Sequence, residues 1–140
     1  NDLLGKTFAK LGLSFKPETY YMREAPSISI IERLLSNNVR IHAYDPISND
    51  NAKNIFGEKI TIYNNKYDCL KGVNALIIAT EWDEFKKADL DKVKDLLPHP
   101  RVIFDGRNCF EPSLMRNMGI NYISIGRPYR TVYNNNKNNK

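Results

Sequence analysis

The chain has 140 residues, of which 41% are hydrophobic, so it can bury the core of one domain of ordinary size. Its net charge of +5 is a weak argument for a nucleic-acid partner, because Arg127, Arg130, Lys137 and Lys140 lie in a terminal stretch without acids. The remainder carries 17 basic against 16 acidic residues, so we expect no nucleic-acid binding. No apolar run approaches the roughly 20 residues of a membrane span, and the first residues lack a secretory apolar region. These features predict a cytoplasmic protein that does not bind membranes.

The composition predicts one domain over residues 1–130 and a disordered polar tail over 131–140, where asparagine and lysine dominate. The chain has two cysteines, Cys69 and Cys109, which are too few for a disulfide framework and lack the spacing of metal ligands. We therefore expect two reduced, mostly buried thiols and no metal site.

Short apolar runs alternate with helical patterns along the chain. Strands are predicted at 7–13, 39–44, 60–63, 75–79, 102–104 and 122–125. Helices are predicted at 27–35, 49–56, 67–71, 83–97 and 112–118, with a break in the fourth near 88–89. Repeated strand–helix units imply a parallel sheet. The predicted fold is a Rossmann-like, doubly wound α/β sheet of about six strands in a single domain.

A long polar loop follows the first predicted strand, where an open α/β sheet binds its ligands. This loop lacks the G-x-G-x-x-G turn of dinucleotide-binding domains but supplies Lys16 and Arg23 as cationic donors. Pro26 stands at the start of the next helix, so free backbone N–H groups there could also face an anion. The loop is a candidate phosphate or nucleotide site; the alternative is a solvated loop with ordinary charges.

A second candidate loop follows the fifth strand, where Asp105, Gly106, Arg107 and Asn108 stand in sequence. The planar fork of an arginine suits two phosphate oxygens at once. The alternative is a tight turn in which Asp-Gly serves backbone geometry and Arg107 faces solvent.

Other residues at strand ends favour structural functions. Trp82 could stack on a base, but packing is the more frequent use of such a residue. Asp45 is interpreted as the cap of a turn with Pro46. The two histidines, His42 and His99, pair with no nucleophile or metal set, so no catalytic residue is predicted.

Five segments in this order and spacing resemble the C-terminal domain of the UDP-glucose/GDP-mannose dehydrogenase family. They are residues 12–17 (Gly-Leu-Ser-Phe-Lys-Pro), 22–27 (Met-Arg-Glu-Ala-Pro-Ser), 43–46 (Ala-Tyr-Asp-Pro), 80–85 (Thr-Glu-Trp-Asp-Glu-Phe) and 104–108 (Phe-Asp-Gly-Arg-Asn). The resemblance extends over about 5–127, and the motif versions look most like those of bacterial members that act on UDP-glucose. The chain departs from the family at Tyr20 and Tyr21, where acidic residues are usual.

The resemblance implies a substrate-binding domain of an oxidoreductase that converts the C6 alcohol of a nucleotide sugar to a carboxylate with two NAD. It implies that Phe15, Lys16 and Arg107 bind the UDP-sugar and that Arg23 reaches NAD. The catalytic cysteine, the catalytic lysine and the main NAD site belong to N-terminal and central domains of the family that this chain lacks. The domain alone is then expected to bind ligand without catalysis, and its partners are those domains, in a homo-oligomer.

Two other interpretations stay open at this point. The domain could belong to a family member that acts on GDP-mannose or UDP-N-acetyl-mannosamine. It could also be a free-standing nucleotide-binding module without redox partners.

Overall fold

The computed structural model describes residues 5–13, 26–79 and 82–124. The strands are β1 (Thr7–Leu11), β2 (Arg40–Tyr44), β3 (Thr61–Ile62), β4 (Ala75–Ile78), β5 (Val102–Asp105) and β6 (Asn121–Ser124). The helices are α1 (Pro26–Ser36), α2 (Asn49–Phe56), α3 (Lys66–Cys69), α4 (Asp83–Lys86), α5 (Leu90–Leu96) and α6 (Pro112–Asn117). A short 3-10 helix, Gly57–Lys59, which the sequence pattern did not predict, lies between α2 and β3.

The six strands form one parallel sheet in the order β3-β2-β1-β4-β5-β6. This order confirms the predicted doubly wound, Rossmann-like fold. All four residues of β4 are buried, as its unbroken apolar run predicts for a strand that is covered on both faces.

Side chains alternate between the two faces of the sheet and build a separate core on each. One core contains Ile41 and Ala43 of β2 together with residues of α1 and α2, among them Ile31 and Phe56. The other contains strand residues of β1, β4 and β5 packed against α3, α4, α5 and α6: Ala9, Leu11, Leu76, Ile78, Ile103, Cys69, Phe85, Val93 and Met115. None of the helices in the described part of the chain is long and apolar enough to cross a bilayer.

Two element boundaries have a clear local cause. The predicted helix over 83–97 is divided into α4 and α5 because Asp89 caps α5, accepting hydrogen bonds from the N–H groups of Asp91 and Lys92. Strand β1 ends at Leu11, two residues earlier than predicted, because Gly12 has a φ of 98°. That backbone conformation favours glycine and turns the chain out of the sheet.

Candidate functional site

The loops that could hold a ligand leave the carboxyl edge of the sheet between β1 and β4. These two strands are neighbours, and the chain order runs away from them in opposite directions, through β2 and β3 on one side and β5 and β6 on the other. Such a switch point opens a crevice at the carboxyl ends of the strands, where ligands of this fold bind. The loop after β1, the loop after β4 and the turn after β5 all begin at this edge.

The loop after β1 starts from a closely held pair of residues. The N–H of Gly12 donates to the carbonyl of Tyr44 over 2.8 Å, which keeps the chain beside β2 after β1 has ended. The N–H of Leu13 then donates to Oδ2 of Asp45 over 2.7 Å. The first step of this loop is therefore fixed by β2 and the turn that follows it.

Asp45 is a buried carboxylate that organises two loops at once. Its Oδ1 accepts the N–H groups of Ile47 and Ser48, both at 2.8 Å, while its Oδ2 accepts Leu13. The side chain of Asp45 is 1% exposed, so these donors replace the water that the carboxylate has lost. The predicted turn-capping function of Asp45 is confirmed, and the contact with the loop after β1 is additional.

Lys10 lies beside this carboxylate and is fully buried in the middle of β1. Its Nζ donates to the carbonyl of Gly12 over 2.7 Å. Burial lowers the pKa of Lys10 to about 7, and the nearby charge of Asp45 opposes that shift. The sequence patterns did not single out Lys10 as a site residue, although a lysine between apolar neighbours in a central strand is an unusual signal.

Arg107 is exposed on the turn that follows β5. The turn is built on Asp105, which is completely buried and whose Oδ1 accepts the N–H of Arg107 over 2.8 Å. Oδ2 of Asp105 accepts the N–H of Cys109 over 2.7 Å and the hydroxyl of Tyr122 over 2.6 Å. The N–H of Gly106 donates to the carbonyl of Ile78 and ties the turn to β4. Arg107 therefore stands on a rigid base at the carboxyl edge.

Three polar side chains, Tyr44, Lys66 and Glu84, form a hydrogen-bonded cluster near the end of β2. The hydroxyl of Tyr44 donates to Oε1 of Glu84 over 3.0 Å, and Nζ of Lys66 donates to Oε2 over 3.3 Å. Burial, followed by the hydrogen bond to Glu84, raises the pKa of Tyr44 to about 12. The contact ties the end of β2 to α3 and α4, and sequence spacing alone does not reveal it because the partners are far apart in the chain.

The other predicted residues divide between described and undescribed parts of the chain. Phe15, Lys16 and Arg23 lie outside the described residues, as does the predicted polar tail. Trp82 is half-buried and packs against the larger core, in agreement with the packing interpretation. Neither cysteine forms a disulfide; Cys69 is buried and Cys109 is half-buried. Within residues 5–13, 26–79 and 82–124, no group of acidic, histidine or cysteine side chains could hold a metal ion.

The sheet order, the switch point and the arginine turn define a doubly wound domain whose carboxyl edge is the candidate ligand site. The family model of the UDP-glucose/GDP-mannose dehydrogenase family, UDP binding domain, matches residues 9–112. UDP-glucose 6-dehydrogenase YwqF of Bacillus subtilis is 44% identical over 123 residues, which are 88% of this chain and 28% of that protein. UDP-glucose 6-dehydrogenase of Pseudomonas aeruginosa is 37% identical over 129 residues, again 28% of its length.

Solved structures share this fold. A UDP-glucose dehydrogenase from Pyrobaculum islandicum superimposes with a TM-score of 0.70 at 27% identity, covering 90% of this chain and 26% of that one. An NDP-N-acetyl-D-galactosaminuronic acid dehydrogenase from Methanosarcina mazei shares the fold with a TM-score of 0.73 at 24% identity, over 89% of this chain and 25% of that one. This chain belongs to the UDP-glucose/GDP-mannose dehydrogenase family and corresponds to its UDP-binding domain. It spans about 28% of the length of the two curated relatives named above.

Proposed function

We propose that this domain binds the uridine diphosphate part of UDP-glucose at the carboxyl edge, as the substrate-binding part of an NAD-dependent UDP-glucose 6-dehydrogenase. The observation that carries the proposal is the arginine turn, which holds Arg107 exposed at the end of β5, one strand away from the switch point. The relatives from Bacillus subtilis and Pseudomonas aeruginosa named above are both UDP-glucose 6-dehydrogenases. This favours UDP-glucose as the ligand over GDP-mannose or UDP-N-acetyl-mannosamine.

In this proposal the diphosphate is bound by cations on two loops. Arg107 contacts it from the turn after β5, and Lys16 contacts it from the loop after β1, with Phe15 against the nucleotide sugar. Support comes from the fixed start of that loop at Leu13, which Asp45 holds, and from the adjacency of β1, β4 and β5. A guanidinium on a rigid turn loses less entropy when it binds phosphate oxygens than one on a mobile loop, so the arginine is expected to contribute strongly.

The oxidation itself is assigned to other domains of the enzyme. The sequence contains no G-x-G-x-x-G fingerprint, and burial raises the pKa of Cys69 to about 12, so this thiol is not activated as a nucleophile. We propose that an N-terminal domain binds NAD, that Arg23 of this domain reaches NAD across the cleft, and that the full enzyme is a homo-oligomer. This chain alone is then expected to bind UDP-glucose without reducing NAD.

Calorimetric titration of the 140-residue chain with UDP tests the proposal. Loss of one charge-assisted contact weakens binding by roughly ten- to a hundredfold, so Arg107→Ala and Lys16→Ala are each expected to do so. Arg40→Ala is the matched control because Arg40 is an exposed arginine at the amino end of β2, at the opposite edge of the sheet. If UDP affinity is unchanged in both Arg107→Ala and Lys16→Ala, the assigned site is wrong. If the domain binds GDP-mannose more tightly than UDP-glucose, it belongs to a family member that acts on GDP-mannose.

A further inference from the structure

The turn that carries Arg107 is supported by side chains that the diphosphate itself would not touch. Asp105 is the last residue of β5 and is 0% exposed, and its two oxygens accept the N–H groups of Arg107 and Cys109. Both donors are backbone groups. These two hydrogen bonds therefore fix the main chain of the turn and not the guanidinium of Arg107. The backbone of Asn108, between them, has a φ of 59°, in the left-handed region that asparagine adopts more readily than most residues other than glycine.

Strand β6 completes this support from the edge of the sheet. The hydroxyl of Tyr122 donates to Oδ2 of Asp105 over 2.6 Å, with the carbonyl of Phe110 as a second acceptor at 3.2 Å. The ring of Tyr122 packs edge-on against Phe110, with 6.4 Å between centroids, so the hydroxyl is held in place. The hydroxyl of Ser124 also donates to the side-chain oxygen of Asn108. Strand β6 therefore contacts the turn through two side chains, Tyr122 and Ser124.

We infer that Asp105 and Tyr122 are positioning residues for the Arg107 turn and that they set the affinity of the domain for the ligand diphosphate. This inference rests on the function proposed above. A buried carboxylate that accepts three hydrogen bonds holds both amides in one geometry. The guanidinium then starts from a fixed main chain, so fewer conformations are lost when phosphate oxygens bind. Without the Tyr122 hydroxyl, the carboxylate keeps both amides but can rotate, and the turn loosens.

The test is a double-mutant cycle between Tyr122→Phe and Arg107→Ala, with UDP as the probe and the 140-residue chain as the protein. Titration followed by NMR measures millimolar affinities, so weakened variants remain measurable. Tyr122→Phe is expected to weaken UDP binding by about three- to tenfold when Arg107 is present. In the Arg107→Ala background the same substitution is expected to change the affinity by less than about twofold, because the group being positioned is gone. Tyr63→Phe is the matched control, since Tyr63 is a half-buried tyrosine whose hydroxyl contacts His42 outside this turn.

A second variant keeps the inference testable through the carboxylate itself. Asp105→Asn retains one acceptor oxygen and places an amide group against one of the two N–H donors, so UDP binding is expected to fall by about tenfold or more. Circular dichroism and the positions of β1 and β2 amide resonances report whether the fold is intact. If Tyr122→Phe weakens UDP binding equally in both backgrounds, or leaves it unchanged while Arg107→Ala weakens it, the positioning inference is overturned and the proposed function stands. If Arg107→Ala itself leaves UDP binding unchanged, the proposed diphosphate site fails and this inference fails with it.

Discussion

Replacement of Lys10 by methionine is expected to stabilise the domain at pH 6. The charged amine is buried in β1, and burial lowers its pKa from 10.5 to about 7. At about 1.4 kcal/mol per pKa unit, keeping the ammonium charged in this position costs on the order of 5 kcal/mol relative to the unfolded chain. The substitution also removes the charge-assisted hydrogen bond to the Gly12 carbonyl, which opposes this benefit by about 3 kcal/mol; the attraction to Asp45 is already contained in the lowered pKa. Lys10→Met is therefore expected to raise the free energy of unfolding by about 2 kcal/mol.

The same substitution is expected to change how stability depends on pH. Between about pH 7 and 10.5 the unfolded chain keeps the proton of Lys10 while the folded chain has released it. Wild-type stability therefore rises with pH in this window, by about 1.4 kcal/mol for each unit, relative to the variant. The advantage of Lys10→Met is greatest at or below pH 7 and is expected to vanish between about pH 8 and 9.

Urea unfolding of both proteins at pH 6, 7, 8 and 9 measures this difference, and comparison of the two proteins cancels the other titrating groups. Lys6→Met is the control, because Lys6 is an exposed lysine just before the same strand and its loss is expected to change stability by less than about 0.5 kcal/mol. A stability difference between wild type and Lys10→Met that stays constant from pH 6 to 9 would refute the reasoning, since the buried amine would then titrate as it does in the unfolded chain.

Three further outcomes follow from burial and hydrogen bonding. Phe85→Ala is expected to destabilise the domain by about 3–5 kcal/mol in urea unfolding, because Phe85 is 0% exposed; a loss below about 1 kcal/mol would contradict its place in the core. Burial raises the pKa of Cys69 to about 12, so a thiol reagent at pH 8 is expected to react much faster with Cys109. Equal rates would argue against the buried position of Cys69. Ultraviolet titration should show Tyr44 ionising near pH 12 and at lower pH in Glu84→Gln, which removes the charge but keeps an acceptor oxygen; an unchanged midpoint would exclude the charge of Glu84 as a cause.

The sequence predicted the elements whose cause is local. The apolar run at 75–79 identified a strand buried on both faces, and β4 is that strand. The break near 88–89 is confirmed because Asp89 is a helix cap, a function that its residue type favours. The turn at Asp45 and Pro46 was also predicted, since a short acidic side chain readily accepts hydrogen bonds from backbone N–H groups two and three residues ahead.

The sequence did not predict the contacts that join distant segments. The hydroxyl of Tyr122 reaches Asp105 across 17 residues of chain, and Glu84 reaches Tyr44 across 40. Such pairs depend on which strands become neighbours and on the register between them, and neither follows from spacing in the chain. The burial of Lys10 has the same origin, because an inward position in a strand becomes dry only when the neighbouring strands and helices close over it.

The two buried aspartates show why a binding edge of this kind needs charge beneath its surface. Asp45 follows β2 and Asp105 ends β5, on opposite sides of the β1–β4 switch point, and each accepts backbone N–H groups from the start of a loop. Where a loop leaves the sheet, its first backbone N–H groups no longer donate to a neighbouring strand. A buried N–H group without an acceptor lowers the stability of the fold. A carboxylate satisfies two or three such amides at one point and fixes the loop without extending the sheet. The domain thus places negative charge inside each loop base while its proposed cationic ligand contact, Arg107, remains exposed above it.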